Sequence, residues 1–181
     1  MKKILSLFIV FMLLFSACKS EPKTISSPRF TIDNFAFSCD PQGLIDTINK
    51  MTEKTGSIPK IGDWESNTEE LQISGSDLTM YIHNSLNKVS LVDVDWNADA
   101  DPTIQSQAEV LTEMLLNLLV PNPEPLQQKI SSAIKENSES VNETHEGVSV
   151  QFDVSKTNVV NGKNSLIIKA LENPVQGPRS T

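Results

Sequence analysis

The densest run of potential chemistry in the chain is Asp93-Val94-Asp95-Trp96-Asn97-Ala98-Asp99-Ala100-Asp101, which sets oxygen-bearing side chains at every second position. Alternating oxygen ligands of this kind open a calcium-binding loop, so Asp93, Asp95, Asn97 and Asp99 are the candidate metal ligands. The second half of such a loop is missing. Ala98 stands where glycine allows the sharp turn, and Ile104 stands where a bidentate glutamate closes the shell. The same residues read more simply as a strand end followed by a helix start. Val92, Val94 and Trp96 then face a core, Asp93 and Asp95 face water, and Asp101 caps the next helix. The expectation is therefore that no metal binds here.

Other reactive side chains are few. Cys39 precedes a helix start, where the helix dipole favours a thiolate, yet a small buried hydrophobe at a strand end is the better reading. His83 and His145 belong to no metalloprotease, triad or Cys/His pattern, and His145 reads as the solvated end of a Glu-rich helix. Asn142-Glu143-Thr144 fits a glycosylation sequon. The sequence contains no phosphate-binding glycine loop, paired-cysteine metal site or nucleophile elbow.

The strongest signal stands at the start of the chain. Lys2 and Lys3 precede an apolar run over residues 4–15 broken only by Ser6, too short to span a bilayer stably and followed by small residues. This is the anatomy of a cleaved signal peptide. Leu14-Phe15-Ser16-Ala17-Cys18 resembles the lipobox of bacterial lipoproteins, matching at Ser16, Ala17 and Cys18, with Phe15 where leucine is usual. The resemblance implies cleavage between Ala17 and Cys18, a diacylglycerol thioether on Cys18, and acylation of the freed amine. No other cofactor is expected. At about 0.8 kcal/mol per buried methylene, one acyl chain anchors marginally, whereas two or three anchor firmly. Lys19 follows the cysteine where many Gram-negative bacteria read aspartate as an inner-membrane retention signal. The expected location is thus a lipid-anchored one, at the outer membrane facing the periplasm in a Gram-negative host.

Composition sets the limits of the rest. Residues 1–17 form the signal and 18–28 the lipidated cysteine with a Pro- and Ser-containing tether. A single domain over 29–172 and a tail with Pro174, Gly177 and Pro178 over 173–181 complete the division. The tether's reach is roughly 30 Å. The whole chain holds 15 basic and 23 acidic side chains, and the signal removes only Lys2 and Lys3, leaving a net charge of about −10. That disfavours nucleic acid and anionic surfaces as partners. With Cys18 lipidated, Cys39 has no partner, so the domain folds without a disulfide.

The elements that position these groups follow from periodicity. Phe30, Ile32, Phe35 and Phe37 suggest a first strand with an irregularity at Asp33-Asn34. Asp40-Pro41 opens a helix with Leu44, Ile45, Ile48 and Met51 on one face, ended by Gly56. Leu71 to Ile73, Leu78 to Ile82 and Val89 to Trp96 read as three strands joined by hairpin turns. Asp101-Pro102 opens a helix carrying Ile104, Ala108, Leu111, Leu115 and Leu118, and Pro121-Asn122-Pro123 ends it. Leu126, Ile130, Ala133, Ile134 and Val141 suggest a second helix forming a hairpin with the first. Alternation at Val148, Val150, Phe152 and Val154, the Asn161-Gly162 turn and Leu166 to Ile168 close the chain. The expected fold is α+β, a single domain with an antiparallel sheet, one N-terminal helix and a helical hairpin packed on it.

Two histidines and few aromatic residues offer little for catalysis, so a non-catalytic binding or accessory protein is expected, with the membrane and another envelope protein as partners. A carrier or sensor of a small apolar ligand, using a groove between the Leu-rich helix and the sheet, is the alternative. An unrecognised hydrolase drawing on His83 with Asp or Ser side chains is the second alternative.

Overall fold

The computed structural model describes residues 30–53, 55–66, 69–136, 140–154 and 162–171. Cys18, the signal, the tether, the tail and Asn161 lie outside the described residues. Among them run β1 (Ile32–Asp33), β2 (Ala36–Phe37), α1 (Pro41–Thr52), β3 (Glu70–Gln72), β4 (Leu78–Ser85) and β5 (Lys88–Asn97). Then follow α2 (Pro102–Leu119), α3 (Glu124–Glu136), β6 (Val141–His145), β7 (Val148–Asp153) and β8 (Lys163–Ala170). The fold is α+β. A six-stranded antiparallel sheet in the order β3-β4-β5-β8-β7-β6 stands beside the two-stranded β1-β2 hairpin.

Both Asp-Pro pairs start helices. Asp40 Oδ1 accepts from Gly43 N at 2.7 Å and Asp101 Oδ1 from Thr103 N at 2.8 Å, while proline sits where its missing N–H is no loss. Gly56, at φ 59°, donates its N–H to Thr52 O and ends the first helix. Leu44, Ile45 and Ile48 of α1 and Leu111, Leu115 and Leu119 of α2 are fully buried. They share one core with Met80, Ile82, Val92, Val94, Trp96, Phe152, Leu166 and Ile168 of the sheet. Met51, expected on the buried face of α1, is 39% exposed, and Thr52 is buried in its stead. The stripe Leu44–Ile48–Thr52 runs at spacing four, which leaves Met51 on its rim. Trp96 stacks on Phe152 with ring centroids 5.8 Å apart, joining strands on either side of β8.

Two elements differ from the sequence reading. Residues 30–37 are a tight hairpin in place of one irregular strand. Asp33 pairs with Ala36, and Asn34 and Phe35 turn at φ 50° and 61°. The second helix ends at Glu136, so Val141 belongs to a strand, and His145 is no helix end. Val141, Glu143 and His145 pair with Phe152, Val150 and Val148, and a two-residue turn at Glu146-Gly147, both at positive φ, supplies the reversal.

Candidate functional site on the open sheet face

Each central strand buries one side fully and leaves the other mostly half-buried, with Thr79 covered as well, so the sheet has a core face and a more open face. On β5, Val92, Val94 and Trp96 point into the core, whereas Asp93, Asp95 and Asn97 lie on the open face. The register carries this across the sheet. Glu70, Tyr81, Asp93, Ile167 and Gln151 form one transverse row, and Gln72, Thr79, Asp95, Ser165 and Asp153 form the next. The centre of the open face is thus polar and acidic, with Tyr81, Leu91 and Ile167 half-buried among the carboxylates.

The carboxylates are held individually. Ser165 Oγ donates to Asp93 Oδ1 at 3.0 Å, Lys163 Nζ lies 4.0 Å from Asp95 Oδ2, and Asn97 Nδ2 donates to Asp77 Oδ1 at 2.6 Å. Burial, and then the charge of Asp95, push the Asp93 carboxyl above its ordinary range, with the Ser165 hydrogen bond opposing them. Burial followed by Glu70, Asp95 and Asp93 raises the Tyr81 phenol in the same way. A surface that penalises its own negative charge gains from an approaching cation.

The four candidate metal ligands do not converge. Alternate residues of a strand stand roughly 6.5–7 Å apart, which spreads Asp93, Asp95 and Asn97 along an axis where a calcium shell gathers its oxygens at about 2.4 Å. Asp99 lies in the turn beyond the strand. Gln105 fixes that turn: its Nε2 donates to the carbonyls of Asn97 and Ala98, and its Oε1 accepts from Trp96 Nε1. Among the described residues, no group of three or more His, Cys, Asp or Glu side chains is placed to hold a metal ion.

The remaining candidates fall into separate places. His83 Nδ1 is 2.9 Å from Glu69 Oε2 at the margin of the open face, while the Asp93 carboxylate is bonded by Ser165 rather than by an imidazole. Ser90 is the extra residue of a bulge beside His83, and its Oγ donates to the His83 carbonyl at 3.2 Å. Cys39 is buried, and desolvation, with Asp40 adding to it, pushes its thiol up to about 12. That removes the thiolate on which reactivity depends. His145 Nε2 lies 2.9 Å from Glu143 Oε2, and Lys129 of α3 bonds the other oxygen of the same carboxylate. These bonds, Lys129 first, hold Glu143 below the usual carboxylate range.

Sequence reasoning missed two features. Ser165 stands 72 positions from Asp93, and only the β5–β8 pairing brings them together. A groove of about 820 Å³ between α2 and α3 is walled by Glu109, Glu113, Glu124 and Gln127 over Leu116 and Ile130. Thr112 Oγ1 and Gln127 Nε2 are buried in its wall without a hydrogen-bond partner. Between the Leu-rich helix and the sheet the centre is filled by fully buried side chains, and a groove of about 550 Å³ opens where Gln105 and Ser106 at the start of α2 meet Val154 and Asn164.

No helix among the described residues is long and apolar enough to cross a membrane. Comparison with protein-family models, curated proteins and solved structures finds no match for this chain.

Proposed function

We propose that the chain is a lipid-anchored protein of the bacterial envelope that acts by binding and not by catalysis. The observation that carries this reading is Leu14-Phe15-Ser16-Ala17-Cys18, placed directly after an apolar run with a dibasic start. A thiol at that one position is what lipidation requires, and three acyl chains provide the anchoring that an amphipathic patch would not. In a Gram-negative host, Lys19 directs the protein to the outer membrane, where the domain faces the periplasm on its tether.

The open sheet face supports the binding half of the reading. It carries Glu70, Asp93, Asp95 and Asp153 around Tyr81 and Ile167 and suits a basic segment of another envelope protein. Replacing Cys18 by Ser tests the anchor: the reading expects a precursor that keeps its signal and takes up no labelled fatty acid. Normal processing and labelling of that variant contradicts it. For the face, Asp93→Lys with Asp95→Lys is expected to abolish recovery of a cross-linked envelope partner while the domain stays folded. Unchanged cross-linking places the contact elsewhere.

A second reading, binding of a small ligand, is favoured by one observation. Thr112 Oγ1 and Gln127 Nε2, buried without a partner, belong to residues that line the α2–α3 groove, and a small turn of either side chain would offer its donor to a ligand carbonyl there. The ligand this groove suits is polar and cationic, given Glu109, Glu113 and Glu124 around it.

A further inference from the structure

Two large apolar side chains stand in water at positions that disfavour them. Leu86 is 95% exposed and Phe35 53% exposed, and each sits in a two-residue hairpin turn with φ of 51° and 61° respectively. Left-handed turn positions of this kind belong to Asn, Asp and Gly, because a β-carbon and a bulky side chain crowd the following carbonyl. Folding gains nothing from Leu86, which has little burial to offset its conformation. A single exposed leucine is ordinary on a protein surface, but two bulky residues on neighbouring left-handed turns are not.

The two turns lie together. Asp33, just before the Asn34-Phe35 turn, and Lys88, just after the Leu86-Asn87 turn, pair at 3.1 Å between Oδ2 and Nζ. Val89 N donates to Cys39 O at 3.0 Å, tying the start of β5 to the chain that leaves the small hairpin. An exposed ion pair of this kind adds little stability, but its length shows that the tips are neighbours.

Their place in the molecule names what they face. The described chain begins at Phe30, whose N–H donates to Leu118 O at the C-terminal end of α2, five positions before Phe35. The segment between Cys18 and Phe30 therefore joins the domain at the end that carries both tips. We propose that Phe35 and Leu86 form a paired apolar tip that enters the headgroup region of the anchoring bilayer and sets the orientation of the domain. This rests on the lipid anchor proposed above. An anchored domain meets the bilayer at high local concentration, so two side chains suffice to bias its orientation without having to supply the affinity. The net charge of about −10 left after signal removal selects a zwitterionic surface over an anionic one. With the tip seated, Asp93 and Asp95 stand five and seven positions along β5 from Lys88, away from the turn, which leaves their face free for a protein partner.

The test uses the full mature chain, lipidated and reconstituted in phosphatidylcholine vesicles. Leu86→Trp and Phe35→Trp report depth through quenching by lipids brominated on their acyl chains, with Met51→Trp near the far end of α1 as the reference. The expected result is at least twofold stronger quenching at positions 35 and 86 than at 51, with blue-shifted emission. Because tryptophan could disturb the turns, the unsubstituted chain is also exposed to a phospholipid carrying a diazirine on its acyl chain. Cross-links are expected in the peptides holding residues 33–36 and 84–88. Equal quenching at all three positions, or cross-links that avoid both turns while the protein floats with the vesicles, overturns the tip and leaves the anchor intact. A mature chain that is recovered with the membrane fraction yet carries no lipid on Cys18 overturns the anchor and the tip with it.

Discussion

Leu86→Asn should make the domain more stable, although it removes a large hydrophobic residue. Fully burying a leucine is worth about 1.5–3 kcal/mol. At 95% exposure Leu86 realises almost none of it, so the loss is roughly 0.1 kcal/mol. Against this stands the left-handed conformation at φ 51°, which for a residue with an ordinary β-carbon costs about 1–2 kcal/mol and for asparagine distinctly less. Asparagine is also the preferred first central residue of a two-residue turn with both φ positive, the geometry of Leu86-Asn87 between the paired Ser85 and Lys88. The net expectation is a gain of about 1 kcal/mol, and so a melting temperature higher by about 3 °C for a domain of this size. The assay is urea and thermal unfolding of the chain expressed from residue 19, so that no lipid contributes. The midpoint should rise with the denaturant slope unchanged. A lower or unchanged midpoint would mean that Leu86 makes folded-state contacts its exposure does not show. The idea that it is retained for a role outside folding would then lose its main support.

Cys39, buried and with its thiol pushed up to about 12, should resist thiol reagents at neutral pH until the domain unfolds; rapid stoichiometric labelling of the native chain contradicts this. Glu143 is held below the usual carboxylate range, so its contribution is present in full above that range and lost as pH falls through its own lowered value. Glu143→Gln should therefore cost about 0.5 kcal/mol at pH 7, discounted because Lys129 is 56% exposed, and less near pH 3. A penalty of the same size at both pH values points to lost packing. Asp101→Ala removes the acceptor for Thr103 N and should lower the melting temperature equally with and without calcium. A calcium-dependent rise in the unsubstituted chain, abolished by Asp95→Asn, would instead restore the metal reading of the aspartate run.

Much of the architecture was legible because local signals and burial agree. Asp40-Pro41 and Asp101-Pro102 announce helices in sequence, and both aspartates do cap. The alternation through Val92, Asp93, Val94, Asp95 and Trp96 assigned the two faces of β5 before any pairing was known. What escaped has physical reasons. Phe35 breaks the usual turn chemistry, so apolar patterning draws it into a strand that the chain does not form. The strand at Val141–His145 alternates only one aliphatic residue with Glu143 and His145, whose inward lean is stabilised by Lys129 and by their own contact. Helical spacing from Ile134 to Val141 imitates a further turn, and only the two-residue reversal at Glu146-Gly147 makes the strand possible. The open face was half visible. Its acids are neighbours in sequence, but Ser165, Lys163 and Tyr81 reach them only through cross-strand register.

Lipid anchoring turns on the fate of Cys18, and intact-mass and peptide mass spectrometry of the protein purified from its own host reads that directly. The expected result is a mature chain beginning at Cys18 and carrying a diacylglycerol thioether. An N-terminus beyond Cys18, or an unmodified cysteine in a chain released from the membrane, would contradict it.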